Sequence, residues 1–167
     1  MARVQKITPC LWFDGRAEEA AELYTKVFPD SKILRTSRYG ESGSEIHGRK
    51  PGGVMTVEFS LAGQTFTALN GGAQFKFSEA ISFQVECETQ AEVDHYWGKL
   101  SEGGDPKGQQ CGWLKDRYGV SWQIVPRVLA ALMSDPDAEA AGCTMQAMLG
   151  MKKLDIAALE RAHAGRS

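Results

Sequence analysis

Leu11–Phe28 reads LWFDGRAEEAAELYTKVF, and Phe83–Leu100 reads FQVECETQAEVDHYWGKL. Laid over each other, Leu11 meets Phe83, Phe13 meets Val85, Asp14 meets Glu86, Ala21 meets Val93, Tyr24 meets Tyr96 and Phe28 meets Leu100. Few residues are identical, but the residue types repeat. Each copy opens on alternating apolar residues, the pattern of a half-buried strand, and runs on into a helix. In the first helix Ala17, Ala20, Ala21, Tyr24 and Phe28 make one apolar stripe. Glu18, Glu19 and Glu22 come early and Lys26 late, which suits the helix dipole, and Pro29 stops the helix. In the second, Thr89 is the N-cap and Glu92 completes a capping box. Val93, Tyr96, Trp97 and Leu100 form its stripe, and EGGD ends it.

Strands are predicted after each helix. In the first copy they are SKILRTSRY, VMTVEFSLAG and QTFTALNGG, with a tight hairpin connection at Leu61–Gln64 that uses Gly63. In the second they are a strand near Pro106–Gln109, then GWLKD and VSWQIVP, joined by the turn DRYG, Asp116–Gly119. The unit is β-α-β-β-β, present twice, and the predicted class is α+β. The modules cover about 1–72 and 80–126, forming one domain over 1–126. Gly40–Gly53, rich in Gly, Ser and charge, reads as a mobile surface loop. Residues 127–167 form a helical C-terminal extension: a short turn before Asp135, a helix to about Gly150, and a last helix from an Asp155 N-cap to about His163, with Gly165 as its stop. Met133, Met145, Met148 and Met151 concentrate there, suited either to plain packing or to an adaptable docking face.

The bulk numbers narrow the function classes. Among 167 residues, 43% are hydrophobic and 24% charged, an ordinary globular balance. A net charge of −2 leaves no electrostatic footprint for nucleic acid. No apolar run approaches the ~20 residues of a membrane span. The opening MARVQKITPCLWF lacks the apolar core of a secretion signal, so a cytoplasmic protein is predicted. Cys10, Cys87, Cys111 and Cys143 are widely spaced, with no CxxC pair, and read as free thiols.

Alternation sorts each strand into two faces. Leu11 and Phe13 oppose Thr8, Cys10 and Trp12; Met55, Val57, Phe59 and Leu61 oppose Val54, Thr56, Glu58 and Ser60; Ile81, Phe83 and Val85 oppose Ser82, Gln84 and Glu86; Trp122 and Ile124 oppose Ser121 and Gln123. The first set of each pair can cover a helix. The second is rich in hydrogen-bonding groups rather than charges, which suits a cleft holding a small ligand. The alternatives are an open, lightly polar sheet face or a dimer contact.

These segments together resemble a known family. Paired β-α-β-β-β modules look like the vicinal oxygen chelate superfamily, which includes glyoxalase I, extradiol dioxygenases, and bleomycin and fosfomycin resistance proteins. TPCLWFDGRAEEAAELYTKVFPDS, ALNGG and CGWLKDRYGVSWQIVP resemble its PhnB-like branch, which carries the name 3-demethylubiquinone-9 3-methyltransferase; MKKLDIAALERA looks like that branch's tail. The resemblance implies a cupped, half-open barrel with the ligand inside, and a homodimer. In metal-dependent members, His and Glu from four strands bind one divalent ion. Carried over, those positions fall at Thr8 or Pro9, among Phe66–Ala68, near Ser82 and at Gln123, and none offers His or a carboxylate. His47, His95 and His163 lie in a loop, a helix and the tail. No metal and no other cofactor is therefore predicted, with a divalent metal as the alternative. Gly71–Gly72 and Gly103–Gly104 do not lie in the strand–turn–helix setting of a dinucleotide-type site, so no S-adenosylmethionine site is predicted.

The expected function is small-molecule binding in the cup by Thr8, Cys10, Trp12, Asn70, Ser82, Gln84 and Gln123, with no nucleic-acid or membrane partner; the alternatives are structural packing for Trp12 and, on equal terms, satisfaction of the hairpin edge for Asn70. Glu58 is the acid–base candidate, against the alternative of an ordinary strand carboxylate. Cys10 and Cys111 lack a placed histidine and read as inert thiols. The pattern does not decide whether a reaction is catalysed. Alternative functions are a metal-dependent glyoxalase- or dioxygenase-like enzyme, an antibiotic-sequestering resistance protein, and the methyltransferase of the branch's name.

Overall fold

The computed structural model describes residues 5–165, and the chain divides into two compact units between Lys76 and Phe77. The first unit holds β1 (Cys10–Phe13), α1 (Ala17–Val27), β2 (Lys32–Arg38), α2 (Ser44–His47), β3 (Val54–Leu61) and β4 (Gln64–Asn70). Its four strands form one sheet in the order β1-β4-β3-β2, with β1 parallel to β4 and the other pairs antiparallel. The apolar alternation decides the packing. Leu11, Phe13, Val57, Phe59, Leu61, Phe66 and Ala68 are buried, as are Ala17, Ala20, Ala21 and Tyr24 of α1. Tyr24 and Phe59 approach within 6.2 Å, and Phe59 stacks on Phe66 at 5.5 Å. The loop read as mobile contains one helical turn, α2.

The hairpin Leu61–Gln64 has Ala62 at φ +46 and Gly63 at φ +85. Both residues are left-handed, as the twist of a two-residue hairpin requires, and alanine is strained there. Ala62→Asn, which tolerates this region, should raise stability by about 1 kcal/mol. In urea the unfolding midpoint should rise with an unchanged slope; an unmoved midpoint would mean that Ala62 bears no strain.

The second unit holds β5 (Ser82–Cys87), α3 (Gln90–Ser101), β6 (Trp113–Lys115), β7 (Ser121–Pro126), α4 (Val128–Met133), α5 (Ala138–Leu149) and α6 (Ile156–His163). Its sheet has three strands in the order β5-β7-β6, with β5 parallel to β7. This is the first module's topology without its outermost strand. The strand expected near Pro106–Gln109 is instead a 3-10 turn over Pro106–Gly108, followed by an isolated bridge from Gln110 to Trp113. Proline has no N–H for a ladder, and Asp105 caps the turn by accepting from Lys107 N–H at 2.9 Å. The capping box at α3 forms as expected, with Thr89 and Glu92 reciprocally bonded.

The tail packs within this second unit. Cys111 N–H and Gly112 N–H donate to the Met151 and Lys152 carbonyls at 2.8 and 2.7 Å, and Gln90 bonds Leu154 O and Ile156 N. Leu154 and Leu159 are fully buried. Lys153 bonds Asp94 and holds that carboxyl below its usual range, helped by Gln90. His163 lies 3.0 Å from Thr144 Oγ1 and 3.2 Å from Asp135 Oδ2, clasping α6 to α5 and to the connection between α4 and α5. Asp155 caps α6 by accepting from Ala158 N–H at 2.7 Å. Among the described residues no helix is long and apolar enough to cross a membrane.

Candidate functional site

On the first sheet, strand register sets the polar face in rows. Cys10 stands opposite Thr67, Thr67 opposite Glu58, and Glu58 opposite Arg35. The next row is Trp12, Leu69, Thr56 and Ser37. Cys10 and Glu58 thus share one row of one face. Glu58 is ion-paired with Arg35 at 3.1 Å, a partner that alternation alone does not reveal. Cys10 is exposed, yet desolvation by nearby protein still raises its thiol pKa, which disfavours the thiolate a nucleophile needs. Cys87, fully buried, is pushed up to about 11 by burial, with the Glu92 charge adding to it. Thr8 is exposed and precedes β1.

Trp12 and Asn70 are engaged by the fold itself. The Trp12 ring lies directly on Gly71, where a β-carbon would fall 2.2 Å from the indole. Its Nε1 donates to Gly72 O at 2.8 Å, and Phe75 packs edge-on at 4.9 Å. Gly71 of ALNGG therefore makes room for this indole, and Gly72 supplies the carbonyl that it bonds. Asn70 is buried and faces α1 rather than the polar row. Its Oδ1 accepts from Ala17 N–H at 2.9 Å, its Nδ2 donates to Val54 O at 3.0 Å, and its own carbonyl accepts from the Tyr39 hydroxyl at 2.7 Å. It supplies the side-chain cap that Arg16, at the N-cap of α1, does not.

On the second sheet, Ser82 faces Ser121, which faces Lys115, and Gln84 faces Gln123, which faces Trp113. Gln123 Nε2 donates to Ser82 Oγ at 2.8 Å, and Gln84 Nε2 donates to Gln123 Oε1 at 3.3 Å. Three of the expected ligand-binding residues are thus brought together in one hydrogen-bonded chain. Ser121 beside them is 2% exposed, and its Oγ has no hydrogen-bond partner. Lys115 pairs with Glu79 and holds that exposed carboxyl below its usual range.

The metal that the resemblance implies in some relatives does not fit these residues. Ser82, Thr67 and Gln123 offer only hydroxyl and neutral amide groups, without imidazole or carboxylate, and Phe66 and Ala68 are buried on the helix side. Among the described residues no three of His, Cys, Asp or Glu come together as a metal cluster would require.

Sequence reasoning missed a cavity of about 340 Å³ in the first unit, lined by Glu18, Tyr39, Arg49, Lys50 and Asn70 among others. The charged pair Arg49–Lys50 inside the loop was its only visible signal.

The family model described as 3-demethylubiquinone-9 3-methyltransferase matches residues 5–125. It therefore does not extend over the helical tail, which the resemblance had included. A putative 3-demethylubiquinone-9 3-methyltransferase, PhnB protein, from Bacillus cereus is 39% identical, with a TM-score of 0.64 over 73% of this chain and 99% of that one. Protein PA1353 from Pseudomonas aeruginosa, 20% identical with a TM-score of 0.56 over 74% of this chain and 98% of that one, shares the fold. A glyoxylase/bleomycin resistance protein/dioxygenase domain from Frankia sp. EAN1pec is 15% identical, with a TM-score of 0.45 over 74% of this chain and 93% of that one. No curated protein matches the chain. The family model over residues 5–125 and the 39% identity to the Bacillus cereus protein agree, and the chain belongs to the 3-demethylubiquinone-9 3-methyltransferase-like, or PhnB-like, family.

Proposed function

We propose that this protein binds a small organic molecule on the polar face of its second sheet through hydrogen bonds, without the divalent metal used by many superfamily members. The observation that carries the reading is the chain Gln84–Gln123–Ser82, where neutral amide and hydroxyl groups are held in fixed directions by one another. Such a chain leaves acceptor and donor capacity on each member for a ligand, and preorganised polar groups favour specificity. Cys10, Thr67 and Glu58 form the corresponding row on the first sheet, with Glu58 as a base candidate beside Arg35. The family resemblance supports a homodimer.

Elemental mass spectrometry of freshly purified, untagged protein should find metal well below one ion per chain, and a chelator should leave the thermal midpoint unmoved. In a thermal-shift screen of polar and aromatic metabolites, with S-adenosylmethionine included, a hit should lose about tenfold affinity in Gln123→Ala. Near-stoichiometric metal, stripped by chelator with a fall in the midpoint, would sink the metal-free reading. A hit indifferent to Gln123→Ala would move the site elsewhere.

A further inference from the structure

The loop after β2 closes on itself. Tyr39 N–H donates to Gly53 O and Gly52 N–H donates to Tyr39 O, both at 2.8 Å, so the chain leaves and re-enters the sheet at one point. Within the loop the His47 ring lies 4.7 Å from Tyr39, and His47 Nδ1 accepts from Arg49 N–H at 3.0 Å. These contacts fix the Arg49 backbone. The guanidinium lies over Gly72, where a β-carbon would sit 2.1 Å from Nη2. Arg49 Nε is buried without a hydrogen-bond partner. Among the described residues neither Arg49 nor Lys50 forms an ion pair. Both line the cavity of about 340 Å³, with Tyr39, Asn70 and Glu18.

We propose that this cavity binds an oxyanion, the carboxylate or phosphate group of a small metabolite, with Arg49 as its fork and Lys50 as the second cation. Two cations without a carboxylate partner lining one cavity favour an anion there, and the terminal guanidinium nitrogens of Arg49 can pair with the oxygens of a carboxylate or phosphate through charge-assisted hydrogen bonds. The volume is that of a small-metabolite site. The other lining groups define the rest of the ligand. The Tyr39 hydroxyl already donates to Asn70 O, so its oxygen has only acceptor capacity left, and Glu18 is also an acceptor. The ligand therefore carries a hydroxyl or amino donor as well as the anion. Asn70 belongs to the helix side of the sheet, opposite the row of Cys10 and Glu58, so this site is independent of the one proposed above.

The test is isothermal titration of the full chain at low ionic strength with inorganic phosphate, acetate and glycolate. At least one should bind saturably, and glycolate, which adds a hydroxyl, should bind more tightly than acetate. Arg49→Gln should weaken binding by at least about tenfold, and Glu18→Gln should strengthen phosphate and acetate binding by removing a like charge. Should Arg49→Gln fail to fold, Lys50→Gln, at an exposed position, gives the same direction with a smaller loss. Preference for phosphate over both carboxylates assigns the group to a phosphoester, and the reverse to an organic acid. The proposal is overturned if the unmutated chain binds none of the probes saturably, or if binding is unchanged in the Arg49 and Lys50 variants.

Discussion

Asp116→Ala is expected to destabilise the second unit by about 4 kcal/mol, among the largest single-residue effects in this chain. Asp116 is 3% exposed. Its Oδ1 accepts from Tyr118 N–H at 2.8 Å and Val120 N–H at 3.0 Å, and its Oδ2 accepts from the Trp122 indole at 2.9 Å. One carboxylate thus closes the turn and locks the largest core side chain of β7 to it. Alanine would strand those donors in the interior, each at the cost of an unmet buried group. Asp116→Asn is the sharper probe. Its oxygen can keep the two backbone donors, but its amino group would face the Trp122 N–H, donor against donor. A loss of about 2 kcal/mol is expected, and adding Trp122→Phe, which removes the opposing donor, should recover part of it relative to Trp122→Phe alone. Urea unfolding followed by near-ultraviolet circular dichroism reads both. Additive losses in the double variant would show that the indole bond contributes nothing.

The sequence marked DRYG only as a turn, and the difference is instructive. A turn is a local property, legible from Asp and Gly at their positions. The reach of Asp116 to Trp122 depends on β7 folding back beside the turn, which composition does not state. The same division runs through the chain. Alternation separated the buried from the polar face along β1 and most of β3, because burial on one side imposes a period of two, but it failed at Ile81, which is exposed before β5, and at Ser121, which is as buried as Trp122 in β7. The capping box at Thr89 and the Asp155 cap were legible because both are local. The fourth strand of the second module was not, since an edge strand is specified by its partner more than by its own residues, and Pro106 tipped the segment into a 3-10 turn. Cross-strand partners were equally hidden. Arg35 meets Glu58 across a register that shifts between Ile33 and Arg35, and no spacing rule predicts that. In the candidate site the Ser82–Gln84–Gln123 group emerged as one chain. Trp12, with packing as its alternative to stacking on a ligand, is tied to Gly71–Gly72, and Asn70, read equally as a ligand contact or a hairpin-edge group, is tied to the start of α1.

Asn70→Leu, similar in volume and without the amide, is expected to cost about 3 kcal/mol, the second large effect. It frees the Ala17 N–H at the head of α1 and the Val54 carbonyl at the start of β3, groups that Asn70 bonds at 2.9 and 3.0 Å. Losing a cap alone costs about 1 kcal/mol, and an unmet carbonyl in a buried setting adds a comparable or larger amount. Asn70→Asp separates the two. Its carboxylate still accepts from Ala17 N–H and suits the positive end of α1, but it sets an acceptor against the Val54 carbonyl. Its loss should therefore fall between those of the native residue and the leucine variant. A structural role and a ligand role now diverge in what they predict. If Asn70 acts as a clasp, the unfolding midpoint falls in the order Asn, Asp, Leu, while binding measured on the folded variants at low temperature changes far less than in Gln123→Ala. If Asn70 instead contacts the ligand of the polar face, both substitutions would abolish that binding while leaving the midpoint near its native value. Its orientation toward α1, away from the row of Cys10 and Glu58, gives the first outcome.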